Sequence, residues 1–296
     1  MHILTFDIEH WYEAWRLRHW GGWQGLSDCD TPLVENLLEV LEETGRRATF
    51  FFTGRFAREF PALTRRCSER GHEVASHSDQ HTLLTAFSSL AALKEDLARS
   101  VDSISQITGC QTQGFRAPKW SLAPGLEIPV LEILRESGLL YDSSFFPMRR
   151  YERGRCRTPH KILLPSGGLL YEIPSTALRL GPLVLPCGGA YFRFFPLAVT
   201  QLMFARCAGR GQPGVIYAHP FDLNPGAHFV SGGGIFFRLM RTAGVRRAWK
   251  KLGRLLESLE FTRADHWLAG HGEGLPTIRL TPPKRQVWPE ESYVEA

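Results

Sequence analysis

Short β-rich runs alternate with amphipathic helical patterns six or seven times along this 296-residue chain, with no linker or repeat dividing it. Few folds accept that order. It favours a parallel-strand barrel or a doubly wound sheet. The strand candidates are 2–6, 48–53 (ATFFFT), 73–75, 114–118, 141–145, 169–174 (LLYEIP) and 214–218 (GVIYA). Between them lie helical patterns. Thr31 as N-cap with Pro32 in the first turn opens one, with Leu33, Leu37, Leu38 and Leu41 on its apolar face and Gly45 at its end. Others cover 60–70, about 88–109 (Ser88 or Ser89 to Gly109), 129–137, 196–209 and a basic amphipathic stretch at 245–258.

With 43% hydrophobic and 22% charged residues, the chain can bury a sizeable core. The net charge of +5 permits an anionic partner without requiring one. Its six Cys are scattered and form no CxxC pair, which fits a reducing compartment and suggests neither a zinc ribbon nor a redox motif. The start, MHILTFDIEHWY, reads as a strand rather than a signal peptide. No run of about 18 apolar residues suggests a membrane span, so a cytoplasmic protein is expected. Residues 1–271 are read as one domain, and 272–296 as a polar, Pro-rich tail.

Chemistry-bearing residues collect where the strands end. In GHEVASHSDQH, 71–81, His77 and His81 follow a strand four positions apart, a spacing that suits two nitrogen donors to a metal or two locally bonded histidines. Asp7 and Glu9 share one side of the first strand if extended geometry persists, with Ile8 and His10 on the other. Two carboxylates there need a metal, an Arg or a proton unless the loop is solvated. Arg116 and His219 end two further strands. In a βα barrel that rim is where catalytic groups gather, and six such residues are more than scattering would place there. Trp11, Tyr12, Trp15, Trp20 and Trp23 make the next loop aromatic, either a lid over a sugar-sized site or a small satellite core.

Five blocks, in order and suitably spaced, resemble the NodB-homology polysaccharide deacetylases, carbohydrate esterase family four, and more closely the branch linked to exopolysaccharide assembly. They are TFDIEHW (5–11), SHSDQH (76–81), GFRAP (114–118), EIP (172–174) and YAHPFD (217–222); RATFFFTG (47–54), YDSSFFP (141–147) and PCGGAYFRFFP (186–196) also match that branch. The resemblance implies an α/β fold, an incomplete (β/α)7 TIM-like barrel, and a divalent metal, usually Zn2+. It implies Asp7 as general base, Glu9, His77 and His81 as metal ligands, Arg116 as the partner that orients Asp7, and His219 as general acid. A backbone N–H of the 117–120 turn would help hold the oxyanion. Trp120 and Tyr191 are candidates to stack on a sugar ring.

One position departs from the pattern: the branch usually carries Asp where this chain has His10. His10 could replace that Asp as a third nitrogen donor, but the Asp-x-acid spacing favours Glu9. Asp222 could orient His219 or be a turn residue. Glu172 could bond Arg116 or backbone and is given no catalytic role. The expected activity is metal-dependent removal of an N-acetyl group from an amino sugar that is free, nucleotide-linked, lipid-linked or oligomeric. No nucleic-acid partner is expected. The basic segments 149–161 and 238–254 would meet substrate phosphates, touch an anionic membrane face weakly, or simply be solvated. Two other readings compete: a metal-independent amidohydrolase acting on a small cyclic amide or ureide, and a catalytically silent glycan-binding protein.

Overall fold

A computed structural model describes residues 1–14, 30–147, 158–181, 183–224 and 242–280. Among them lie strands β1 (His2–Ile8), β2 (Thr49–Phe52), β3 (Glu73–Ser76), β4 (Gly114–Phe115), β5 (Tyr141–Asp142), β6 (His160–Leu163), β7 (Leu169–Glu172), β8 (Ala177–Leu180), β9 (Leu183–Pro186), β10 (Val215–Ala218), β11 (Phe261–Thr262) and β12 (Thr277–Arg279). The main path, β10-β1-β2-β3-β4-β5-β7, is parallel throughout. Its ends, β7 and β10, are not joined by a strand ladder; instead Thr176 N donates to Val215 O at 2.9 Å and Val215 N to Thr176 Oγ1 at 2.8 Å. The result is the incomplete (β/α)7 barrel that the alternation and the motifs imply.

The run TFFF explains why β2 sits mid-sheet. All of it is buried, as a parallel strand covered on both faces requires. Phe50 and Phe52 join Leu4, Phe6 and Ile8 of β1 against the helix Thr31–Glu43, which contributes Val34, Leu37, Leu38 and Leu41. Phe51 points the other way, into the barrel, beside Ala75 and Tyr141. Its register partner on β1 is Asp7. The two-residue period thus carries Asp7 to the interior while Phe6 and Ile8 pack outward.

Several helix ends follow from local chemistry. Ser89 caps the helix Leu90–Thr108 by accepting from Ala92 N at 3.1 Å, and Gly109 ends it at φ 70°. The first cap is corrected by one residue: Asp30 is the N-cap, and Thr31 already lies in the helix. The expected strands at 114–118 and 141–145 shorten to two residues each, Gly114–Phe115 and Tyr141–Asp142, with Arg116 N and Ser143 N making the last ladder bonds to Ser76 O and Phe115 O. The helix Val245–Ser258 has the expected limits, but its basic character is not all outward: Lys251 is buried and donates to Phe195 O at 2.7 Å, and burial lowers its pKa to about 8.

Other elements were not legible in local pattern. They include β6, which lies antiparallel to β7, the β8–β9 hairpin, and the helices Gly54–Glu59, Gly189–Phe194 and Ala264–His271. The boundary expected at 272 falls inside the structure, since β12 pairs with β6. Trp15, Trp20 and Trp23, the basic segment from 149 to 157, positions 238–241 and the tail from 281 lie outside the described residues. Trp11 and Tyr12 are buried, the former beginning a short helix, Trp11–Ala14.

The barrel floor is closed by the helix Ala264–His271, whose Trp267 and Leu268 pack on Ile3, Phe51 and Val215. Buried Glu73 lies there, accepting from Thr49 Oγ1 at 2.6 Å, Tyr141 OH at 3.0 Å and Asp265 N at 3.2 Å. Burial pushes its pKa up to about 8; Asp265 adds to the rise, and the three donors oppose it. A carboxyl raised in the folded state contributes stability that is full below its unfolded pKa, about 4.5, and lost as pH rises through about 8. Glu73→Gln should therefore melt close to wild type at about pH 4.5 and gain on it steadily towards about pH 8.5. Thermal melts across that range check this, and an offset that does not change with pH would contradict it.

Candidate metal and catalytic site

Asp7 and Glu9 leave the C-terminal end of β1, His77 and His81 that of β3, Arg116 that of β4 and His219 that of β10. All six meet around one opening at the top of the barrel. All but Arg116 line a cavity of about 250 Å³, together with Lys119, Trp120, Tyr191, Tyr217 and Asp222. Arg116 lies just beneath, with no exposed surface.

Glu9, His77 and His81 each present one ligand atom, and these lie within 4.8 Å of one another. Glu9 Oε2 is 3.5 Å from His77 Nε2 and in close contact with His81 Nε2, yet it is buried with no hydrogen bond of acceptable geometry. His77 Nδ1 lies 2.7 Å from Arg116 O. The carbonyl can only accept, so Nδ1 carries the proton and Nε2 presents its lone pair to the cluster. Burial lowers the pKa of His81 against the pull of Glu9, which keeps this ring a neutral donor. The pKa of Glu9 is well below the usual carboxylate range: burial opposes this, and His81, His77 and His219 overcome it. A carboxylate unsatisfied at one oxygen, facing two imidazole nitrogens, fits a divalent cation.

His10 is not part of this set. It follows the other face of β1, stacks on Tyr12 with ring centres 5.0 Å apart, and puts Nε2 2.9 Å from Glu59. Of the two residues considered as third ligand, Glu9 lies in the cluster with His77 and His81.

The loop carrying His77 and His81 is held from below. Asp96 Oδ2 accepts from Ser78 Oγ at 2.9 Å and Asp79 N at 2.8 Å, and Arg58 Nη1 meets Asp79 Oδ1 at 2.6 Å. Gly54 approaches so closely that a Cβ there would overlap Asp79 Oδ1. Ser78 and His81 sit at φ 68° and 54°, a left-handed geometry that costs of order 1 kcal/mol or more and persists only where the surroundings enforce it.

Arg116 and Asp7 form a buried ion pair, Nη1 to Oδ1 at 2.6 Å. The guanidinium also donates to Thr5 Oγ1 at 3.0 Å and Ser143 Oγ at 2.9 Å, and lies 4.2 Å from the centre of the Phe51 ring. Asp7 Oδ1 is thereby committed, and Oδ2 is left facing His219 Nε2 at 3.9 Å. His219 Nδ1 lies 3.1 Å from Asp222 Oδ2. Asp222 thus orients the ring, the first of the two readings its position allowed. Burial acts to lower the His219 pKa, but the Asp222 hydrogen bond and the charges of Glu9, Asp222 and Asp7 outweigh it and raise it to about 9.

Trp120 forms one wall, stacked on Phe146 at 4.6 Å and edge-on to Tyr217 at 4.4 Å. Tyr191 lines the cavity from the helix Gly189–Phe194. The 117–120 turn offers less to an oxyanion than expected, because Ala117 N donates to Ser144 Oγ at 2.8 Å and Trp120 N to Ala117 O at 3.0 Å. Glu172 stays outside the cavity; it accepts from Phe145 N at 3.1 Å and hydrogen-bonds Asp142, whose pKa burial raises to about 6. Sequence reasoning missed Ser143, Ser144, Asp96 and Arg193. Ser143 and Ser144 stand directly after β5 in the block 141–147, where strand-end polar residues could have been counted, and Arg193 lies in the block 186–196; Asp96 lies within a helix outside the matching blocks and carries no such signal.

Comparison with known proteins agrees with this geometry. Residues 4–127 match the family model described as polysaccharide deacetylase, and residues 143–269 match one described as a domain of unknown function, DUF3473. A chitooligosaccharide deacetylase of Azorhizobium caulinodans is 44% identical over 51 residues, 17% of this chain and 23% of that protein. The peptidoglycan-N-acetylmuramic acid deacetylase PdaA of Bacillus subtilis is 32% identical over 94 residues, 32% of this chain and 34% of that protein. The chain therefore spans about a third or less of these curated relatives. A Mycobacterium smegmatis structure described as a candidate polysaccharide deacetylase superposes with a TM-score of 0.60 at 20% identity, covering 96% of both chains. A Puue allantoinase superposes with a TM-score of 0.58 at 17% identity, covering 91% of both. These two likenesses concern the fold alone.

Proposed function

We propose, from the match of residues 4–127 to the polysaccharide deacetylase family model, that this protein hydrolyses the N-acetyl group of an amino sugar in a glycan or glycan precursor. The observation that carries the reading is the juxtaposition of the Glu9–His77–His81 cluster with Asp7 on one side and His219 on the other. Glu9, His77 and His81 would hold a divalent cation, and two nitrogens with one oxygen favour zinc. Such a cation, when bound, polarises the acetamide carbonyl and lowers the pKa of the attacking water.

The chain's own residues do the rest. Arg116 holds Asp7 by Oδ1, so Oδ2 takes a proton from the water whose oxygen bonds to the carbonyl carbon. The C–N bond breaks as His219 Nε2 passes its proton to the departing nitrogen, leaving acetate and a free amine. Asp222 keeps the other ring nitrogen turned away. Trp120 and Tyr191 flank the opening and would stack on the sugar ring.

The test is acetate release from nucleotide-linked, oligomeric and lipid-linked N-acetylhexosamines, with protein stripped by chelator and again after zinc is restored. Zinc-restored release, lost in His77→Ala together with the bound metal, is the expected outcome. Release that survives stripping would remove the metal from the reading. Bound zinc without release from any sugar would redirect the search to other amides. Neither metal nor release would leave the silent binder.

A further inference from the structure

Arg193 lies in the block 186–196 but is given no role there, and it is buried at the edge of the site. It lies on the helix Gly189–Phe194, inside the 143–269 segment of unknown function. Its Nε donates to Asp222 Oδ1 at 3.0 Å, and its Nη1 donates to Ala243 O at 2.9 Å. The other Asp222 oxygen, Oδ2, accepts from His219 N at 3.0 Å and faces His219 Nδ1 at 3.1 Å. Each carboxylate oxygen therefore has its own task, one towards Arg193 and one towards His219.

We propose that Arg193 is a positioning residue for His219, acting through Asp222, and that the 143–269 segment thereby supplies the proton-donating side of the site. The inference rests on the reading of His219 as general acid. Asp222 can fix the imidazole only if its own plane is fixed. Rotation about its terminal bond would carry Oδ2 away from both His219 donors, and the bond from Arg193 to Oδ1 prevents that rotation. The guanidinium is itself held, because its planar fork reaches Asp222 and Ala243 O together. Gly244 packs directly on the Arg193 backbone: at φ 77°, a Cβ there would overlap Arg193 O. With Nδ1 tied to Asp222, Nε2 points towards Asp7 and Glu9, at 3.9 and 3.6 Å, where the leaving nitrogen must be protonated. Base and metal ligands come from residues 4–127, and the acid, its carboxylate and their anchor from 143–269.

The experiment uses the full chain with zinc and two substrates. One is a chitooligosaccharide, whose amine leaves only when protonated. The other is 4-nitrophenyl acetate, whose phenolate leaves without a proton. Arg193→Met should lower kcat on the amide about tenfold or more at nearly unchanged KM, while aryl acetate cleavage stays within about twofold of wild type. Arg193→Lys should recover part of the loss, and Arg193→Gln serves as the second variant should the Met variant not fold. Proton NMR supplies a readout independent of turnover. The His219 Nδ1–H resonance, assigned by its loss in His219→Gln, should be sharp in wild type and broadened or absent in Arg193→Met. Equal losses on both substrates, no loss on either, or an unchanged Nδ1–H resonance would overturn the inference. Failure of wild type to cleave any amide sinks the deacetylase reading instead, and the NMR comparison then decides the role of Arg193.

Discussion

Arg116→Met is expected to destabilise the protein by about 3–5 kcal/mol, because it strands the Asp7 carboxylate in a site with almost no solvent contact. The guanidinium also holds Thr5 Oγ1 and Ser143 Oγ and covers the Phe51 ring, so part of the loss is packing. Pairing the change with Asp7→Asn removes the stranded charge. The double variant should therefore be more stable than Arg116→Met alone, although activity stays lost. Urea unfolding of the two single variants and the double gives the coupling directly. Additive destabilisation would mean that the ion pair is not what makes Arg116 costly to remove.

Asp7→Asn should lower turnover on an N-acetylated sugar by about 10²–10⁴-fold while leaving zinc content near wild type, and should lower the melting temperature because the buried Arg116 guanidinium loses its counter-charge. The amide oxygen still accepts from Arg116, but no group remains at Oδ2 to take a proton. His77→Ala should differ in kind: turnover and bound metal fall together, because the ligand whose tautomer Arg116 O sets is gone. Kinetics with metal analysis separates the two. Metal loss in Asp7→Asn would make Asp7 a ligand rather than a base.

Much of the site was legible in the chain because barrel chemistry collects at strand ends, and strand ends can be read from a two-residue period and turn residues. Asp7, Glu9, His77, His81, Arg116 and His219 each follow a short apolar run, and the structure brings all six together. The parallel order of the sheet follows from the same alternation of short strands and longer helices. His10 was harder: its exclusion needs the partner face of β1, where Tyr12, Phe56 and Glu59 receive it.

The features that stayed hidden depend on partners far along the chain. The antiparallel insertion of β6 beside β7, and the pairing of β12 with β6 across more than a hundred residues, leave no periodicity in either segment. Arg193 reads locally as one more cation on a helix. Only folding sets it against Asp222, 29 positions away, and only there does it act on His219. Local sequence decides which backbone shape each segment prefers and which face is apolar, because those are matters of sterics and of water at short range. Which buried charges meet, and whether each finds a counter-charge, is decided when the barrel closes. Burial removes water as the alternative partner, and leaves Arg116 to Asp7, Arg193 to Asp222, and the unsatisfied oxygen of Glu9 to a cation.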